Sequence, residues 1–402
     1  MIKVGKFRQD FCLLFYFIAV FAFMPTNLTS DRQIWMFASF LLLISTGIDA
    51  LAGKTKIYLY NCCISYIVLV AFGILSMVWS SNTALTVNYL LTKFLFILAG
   101  ALCVSSYMKD EEDAEHVIML MIASACIASV RFCYYTPWDR YLRGSFGLLL
   151  DPNTNYNSYT TPLSLAFVLS AYYALKGKRK LCLFAMLFLA AVLLLGGSRK
   201  SIVLIPLTMI FFTLNKTNVK RALKGCLVVI IVLACGLYAV QNIPQLSSVQ
   251  KSLTNAYNAF ILGERTGIGN STEGRIYLMQ AAREVWMSHP LLGVGWNNFR
   301  YNNSLGLYAH NNYYETLASL GIVGFLLYYS IHLRVLVHLF TKRKKETVPY
   351  SQMVSGVVFA MLFLEIGALP IYSREVMLLY LTILASYERI SGQRIKRLRI
   401  KG

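Results

Sequence analysis

Twelve apolar runs, each close to the length of a bilayer crossing, limit what this chain can fold into. They lie near residues 10–27, 33–52, 60–79, 84–106, 115–133, 157–175, 181–197, 200–215, 222–241, 311–340, 350–370 and 374–388. A crossing helix needs about 20 apolar residues. Lipid offers no partner to a backbone N–H or C=O, so such runs are expected to be helical throughout. The expected fold is therefore all-α: a polytopic membrane protein of about 12 transmembrane helices, with residues 1–402 as a single integral membrane domain. Composition agrees, because 14% of the residues are charged against about 25% in soluble proteins. The N-terminus has the basic start of a signal peptide, but no small-x-small cleavage site precedes Met24-Pro25-Thr26. It is read as the first membrane helix.

The net charge of +20 would suggest nucleic acid in a soluble protein. Here the basic residues fall in short clusters between apolar runs, so no nucleic-acid partner is expected. Of the 38 Lys and Arg, twenty-four fall at the termini and in the even-numbered gaps, and 11 fall on the opposite side. Positive charge collects on the cytoplasmic side, so both termini are expected there. Two sizeable segments are then left on the outer face, near 134–157 and 242–310. The nine Cys all lie in or beside apolar runs and read as small buried hydrophobes.

The outer segments carry most of the polar chemistry. The first contains Trp138-Asp139-Arg140 and Asp151-Pro152-Asn153, a turn former. Its Asn and Tyr residues also have the chemistry to hydrogen-bond a sugar. The second is too long for a bare connector. Residues 275–286 read as a helix with Ile276, Met279, Ala282, Val285 and Trp286 near one face. Ser271 or Thr272 caps its start, and Pro290 ends it. An amphipathic helix on the membrane surface, over the mouth of the bundle, is the expectation.

Several cations and one imidazole stand out. Arg199 and Lys200 follow Gly196-Gly197-Ser198 at a tight turn between two short spans. An Arg at a bilayer rim either snorkels or meets an anion, and guanidinium matches phosphate bidentately. Arg275 opens the loop helix, where the backbone dipole also attracts anions. His310 stands where the long loop re-enters the membrane, before the polar opening Asn311-Asn312-Tyr313-Tyr314-Glu315. Imidazole can take a proton near neutral pH. Gly321 and Gly324 form a small-x-x-small face suited to helix packing. Lys93, Glu365 and Arg374 are further ionisable groups in or near spans, whereas Asp49, His332 and Arg334 fall toward the cytoplasmic half. No metal cluster, P-loop or GxGxxG is present, so the donor is expected to arrive already activated, with no cofactor.

These residues resemble the O-antigen ligase and O-antigen/capsule polymerase superfamily of bacterial envelope proteins. The likeness rests on Gly197-Ser-Arg-Lys200, Gly274-Arg-Ile-Tyr277, His289-Pro-Leu-Leu-Gly-Val-Gly-Trp-Asn-Asn-Phe299 and His310 to Gly324, so residues 197–324 form the family-like region. The resemblance implies a C-type membrane glycosyltransferase fold and a metal-independent, inverting reaction. A glycan would move from undecaprenyl diphosphate to a hydroxyl at the periplasmic or extracellular face of the bacterial inner membrane. Arg199 and Arg275 would hold the diphosphate, and His310 would act on or orient the acceptor hydroxyl. Lys200, Asn311, Glu315, Trp296 and Arg283 are expected to bind substrate, although Lys200 stands where the family often has a small or apolar residue. The implied acceptor is another lipid-linked repeat unit for a polymerase, or lipid A–core for a ligase. The flippase and chain-length regulator of the same pathway are the implied protein partners. The form of the His310 motif and the Asp-Pro-Asn segment favour a polymerase. A transporter or flippase of lipid-linked sugar is the rival from another class. Transporters place polar sites at the midplane with repeat symmetry, whereas here the polar residues gather at the outer rim.

Overall fold

The computed structural model describes residues 2–26, 28–139, 156–177, 180–214, 271–341 and 348–391, with isolated positions at 227, 238, 241–242, 250, 254, 257 and 396–397. Its helices are α1 (Ile2–Ala22), α2 (Thr29–Leu51), α3 (Asn61–Leu75, followed by a 3-10 turn at Ser76–Val78), α4 (Thr83–Tyr107), α5 (Glu111–Tyr134) and α6 (Tyr156–Leu175). They continue with α7 (Lys180–Leu195), α8 (Arg199–Leu214), α9 (Ser271–Ser288), α10 (Asn312–Thr341), α11 (Val348–Leu364) and α12 (Arg374–Ile390). Two two-residue strands, Tyr58–Leu59 and Lys396–Arg397, pair antiparallel. Helices stand where eleven of the twelve runs were expected. The run at 222–241 lies almost wholly outside the described residues.

The segments Thr29–Leu51, Asn61–Val78, Glu111–Tyr134 and Asn312–Leu339 are long and apolar enough to cross a membrane, as expected of a polytopic membrane protein. Helices α7 and α8 have 16 residues each, a rise of about 24 Å against a hydrocarbon core of about 30 Å. Local sequence accounts for the clearest helix start. Asp110 accepts from the Asp113 N–H at 2.9 Å, and Glu111, Glu112 and Asp113 fill the positive first turn of α5.

Helix α12 is the axis of the bundle, with every residue from Glu375 to Arg389 buried. It packs on α3, α4, α6 and α11. At its C-terminal end Glu388 accepts from the N–H groups of Asn61 and Cys62 at 2.6 and 3.0 Å, capping α3. Arg389 donates to the carbonyls of Ser105 and Ser106 at 2.7 and 2.9 Å, closing α4. Each charge therefore meets the helix end of opposite sign. Nearby, Arg8 pairs with Asp49, which also accepts from Gln9 at 2.8 Å. At the other end of the bundle Arg131 pairs with Asp31 at 2.8 Å, and Arg374 donates to the Met24 carbonyl at 3.4 Å.

Three features depart from the sequence reading. Helix α10 is not continuous: Gly321, at φ 63° and ψ −168°, breaks it. The turn after α9 fills the break. Ile322 and Val323 donate to the carbonyls of Pro290 and Leu291 at 2.9 and 3.2 Å. In return, Val294 and Gly295 donate to those of Ala318 and Ser319 at 3.0 and 2.8 Å. Backbone groups that the break would orphan are thereby satisfied. Second, α9 packs on α10 through Leu278, Ala282, Phe299, Ala309 and Ala318, with Tyr277, Ala281 and Val285 alongside. Its inward stripe is thus 278/281/282/285, shifted from the expected one because a helix neighbour rather than lipid covers it. Third, His332 reaches Glu365 at 3.3 Å, and Tyr328 and Tyr329 each donate to that carboxylate at 2.7 Å. A residue read toward the cytoplasmic half thus shares one buried cluster with a residue read toward the outer end. The seven described cysteines are free thiols.

A Cβ at Gly321 would lie 2.3 Å from the Leu291 carbonyl, and one at Gly47 meets nothing within 4 Å. Gly321→Ala is expected to destabilise by at least about 2 kcal/mol, because its positive φ combined with an extended ψ belongs almost only to glycine. Gly47→Ala, in a helix interior, is expected to be neutral or stabilising by up to about 1 kcal/mol. Thermal unfolding in detergent, followed by circular dichroism, checks the contrast.

Candidate active site

The interlock around Gly321 fixes the segment that leads into α10. Trp296 is buried on α3 and α4: its N–H donates to Ser76 Oγ at 2.9 Å, its carbonyl accepts from Thr86 Oγ1 at 2.9 Å, and its ring lies over Gly73. Glu315 is fully enclosed. It accepts from the Ala309 N–H at 2.8 Å and from the hydroxyls of Ser319 and Tyr372 at 3.2 Å each. Asn311 caps α10 through Oδ1, which accepts from Tyr313 and Tyr314 N–H at 3.0 and 3.2 Å. His310 is held between these anchors at φ 53°. A left-handed backbone is uncommon at a non-glycine residue and persists where its surroundings impose it.

His310 faces a cavity of about 390 Å³. Arg275 of α9 and Lys200 of α8 stand in the same wall, so three segments far apart in sequence meet there. Lys200 Nζ donates to the Gly367 carbonyl at 3.2 Å, in the loop that follows α11. Arg199 is not among the residues lining the cavity. It begins the same helix turn as Lys200, and the charge of Arg275 reaches it. Burial holds both guanidiniums below the ordinary arginine range, and Arg275 adds to this at Arg199. Burial, then Arg275, then Lys200 push the His310 imidazole down to about 4. It is therefore a neutral, proton-accepting ring at neutral pH.

The structure thus brings Arg275, His310 and Lys200 to one cavity, with Arg199 beside them. The side chains of Asn311 and Glu315 and the backbone of Trp296 are engaged in holding the loop, and none of the three residues lines the cavity. Arg283 is exposed on α9, away from it. The sequence reading missed part of the wall. Glu375 and Ser373 stand at the start of α12, and Thr161 on α6. Asn157 also lines it, at the end of the Asp-Pro-Asn segment noted for sugar chemistry, and so does Lys93, noted as an ionisable group within a span. A charged residue in a first helical turn reads as a cap, which hid Glu375. Among the described residues, no group of three or more His, Cys, Asp or Glu is placed to hold a metal ion.

Residues 184–329 match the family model described as O-antigen ligase. The likeness to O-antigen ligases is confined to that stretch, which is less than half of the chain. The matched stretch runs from α7 into α10 and contains Arg199, Lys200, Arg275, His310 and both halves of the interlock at Gly321. Lys93, α11 and α12 lie outside it. No curated protein matches the chain.

The neutral state of His310 can be read directly. With five His in the chain, histidine-selective NMR with His310→Gln for assignment isolates its ring. The ring is expected not to titrate between pH 7.5 and 5.5, where an ordinary histidine becomes about nine-tenths protonated.

Proposed function

We propose that this protein is a glycan polymerase acting on lipid-linked substrates at the outer face of the inner membrane, with both termini cytoplasmic. The donor is a glycan on undecaprenyl diphosphate, and the acceptor is a sugar hydroxyl of a second lipid-linked repeat unit. What supports the reading above all is the meeting of Lys200, Arg275 and a neutral His310 at one cavity, inside the stretch matched to O-antigen ligase.

The chemistry follows from that grouping. The acceptor oxygen attacks the anomeric carbon of the donor from the face opposite the diphosphate. The bond from that carbon to the phosphate oxygen breaks, and its electron pair stays on the diphosphate. The acceptor proton passes to the neutral imidazole of His310. A single displacement inverts the anomeric centre. Arg275 and Lys200, with Arg199 behind them, stabilise the charge that grows on the leaving diphosphate, so no metal is required. The products are the lengthened glycan, still lipid-linked, and undecaprenyl diphosphate. His310 then returns its proton to solvent.

The test is incubation of the purified protein with undecaprenyl-diphosphate oligosaccharide in the presence of a chelator and without nucleotide. Longer lipid-linked glycans are expected. Transfer only to added lipid A–core would make the protein a ligase, and movement of the lipid across vesicles without transfer would make it a flippase. Arg275→Ala is expected to lower kcat/KM by at least about 100-fold, the scale of losing one charge-stabilising donor. His310→Gln should lower kcat with little change in donor KM, as the loss of a group that acts in the transition state does.

A further inference from the structure

The cavity has a second character. Beyond the cations its wall holds Asn157 and Thr161 at the start of α6, Tyr308 from the loop, and Glu375 at the start of α12. Among the described residues that line it, Glu375 is the one carboxylate, and it is only 7% exposed. Ser373 Oγ donates to its Oε1 at 2.6 Å, which fixes the side chain. The neighbouring Arg374 turns the other way, lying over the Trp35 ring at 4.7 Å and donating to Met24. Lys93 is tethered to the same corner, with its Nζ donating to the Tyr372 carbonyl at 2.9 Å.

A carboxylate repels a diphosphate and has no hydrogen to donate to it, so Glu375, unlike Lys93 beside it, does not serve the phosphate part of a substrate. It suits a polyol. A carboxylate accepts from two adjacent hydroxyls, and the Asn amide both donates and accepts. The Thr161 hydroxyl, which donates to the Asn157 carbonyl at 2.8 Å, is left to accept, and an aromatic ring such as Tyr308 covers the apolar face of a pyranose. We propose that Glu375, with Asn157 and Thr161, is the specificity-determining sugar subsite of this cavity. It binds vicinal hydroxyls of an uncharged sugar unit, while Arg275 and Lys200 take the diphosphate. The inference rests on the proposed glycan transfer for its substrate class, but its test does not need turnover.

Two probes separate the halves of the cavity. One is the oligosaccharide released by mild acid from the cell's own lipid-linked pool and freed of phosphate. The other is undecaprenyl diphosphate alone. Binding of each to the full-length protein in detergent is measured by calorimetry. Glu375→Gln is expected to weaken the oligosaccharide at least tenfold and to leave undecaprenyl diphosphate unchanged or tighter. Arg275→Ala is expected to do the reverse. If Glu375→Gln fails to fold, Asn157→Ala and Thr161→Val carry the same expectation. Equal oligosaccharide affinity in the wild type and in a folded variant overturns the subsite. Loss of both probes together also overturns it, since that marks a merely structural side chain. The KM for donor against that for acceptor in the same variant then assigns the bound sugar to one substrate. A subsite that binds sugar in a protein without transfer would sink the proposed reaction and leave this inference standing.

Discussion

The break at Gly321 and the turn that fills it hold the site together. A helix interrupted inside a membrane domain leaves N–H and C=O groups without partners, and lipid cannot supply them. The Pro290–Gly295 turn does so, with four backbone hydrogen bonds running in both directions. The same turn leads directly to Trp296, which is seated on α3 and α4. From there Asn297 donates to the Tyr372 hydroxyl at 3.2 Å, Tyr372 donates to Glu315, and Glu315 holds the Ala309 N–H next to His310. A backbone constraint at one point thus becomes the fixed position of an imidazole some way off.

The electrostatics run against folding and toward binding. Arg199, Lys200, Arg275 and His310 share one neighbourhood, and burial disfavours charge on each guanidinium. Like charges held together in a partly buried site destabilise it until an anion arrives, and they then strengthen the anion's binding. The arrangement is pre-organised for a charge that the protein does not itself provide. His310 gains differently: burial first, and then its cationic neighbours, keep it neutral, which is the state that can accept a proton. Helix α12 links this end of the bundle to the other. Its first turn puts Glu375 in the cavity wall, and its last turn caps α3 and α4.

Much of the helical plan was legible because apolar runs of near-bilayer length admit few alternatives. The family-like segments were legible too, since Arg199, Arg275 and His310 stand out in a chain of low charge. The break in α10 was not, because Leu320-Gly321-Ile322-Val323-Gly324 has the hydropathy of an unbroken span. Its cause lies about 30 residues away in Pro290–Gly295. Glu315, Asn311 and Trp296, expected from polar type to bind substrate, stand outside the cavity wall. Each has chemistry that could hold a sugar, yet Glu315 and Asn311 accept from backbone N–H groups, and the backbone of Trp296 is bonded by the Ser76 and Thr86 side chains. Glu375 was not legible, because its place in a first helical turn looks like a simple cap.

The most direct measurement is an electron cryomicroscopy structure of the protein with undecaprenyl-diphosphate oligosaccharide bound. The account predicts diphosphate density within hydrogen-bond reach of Arg275 and Lys200, with His310 on the sugar side of it. Diphosphate density elsewhere on the bundle, with this cavity filled only by solvent, would contradict it.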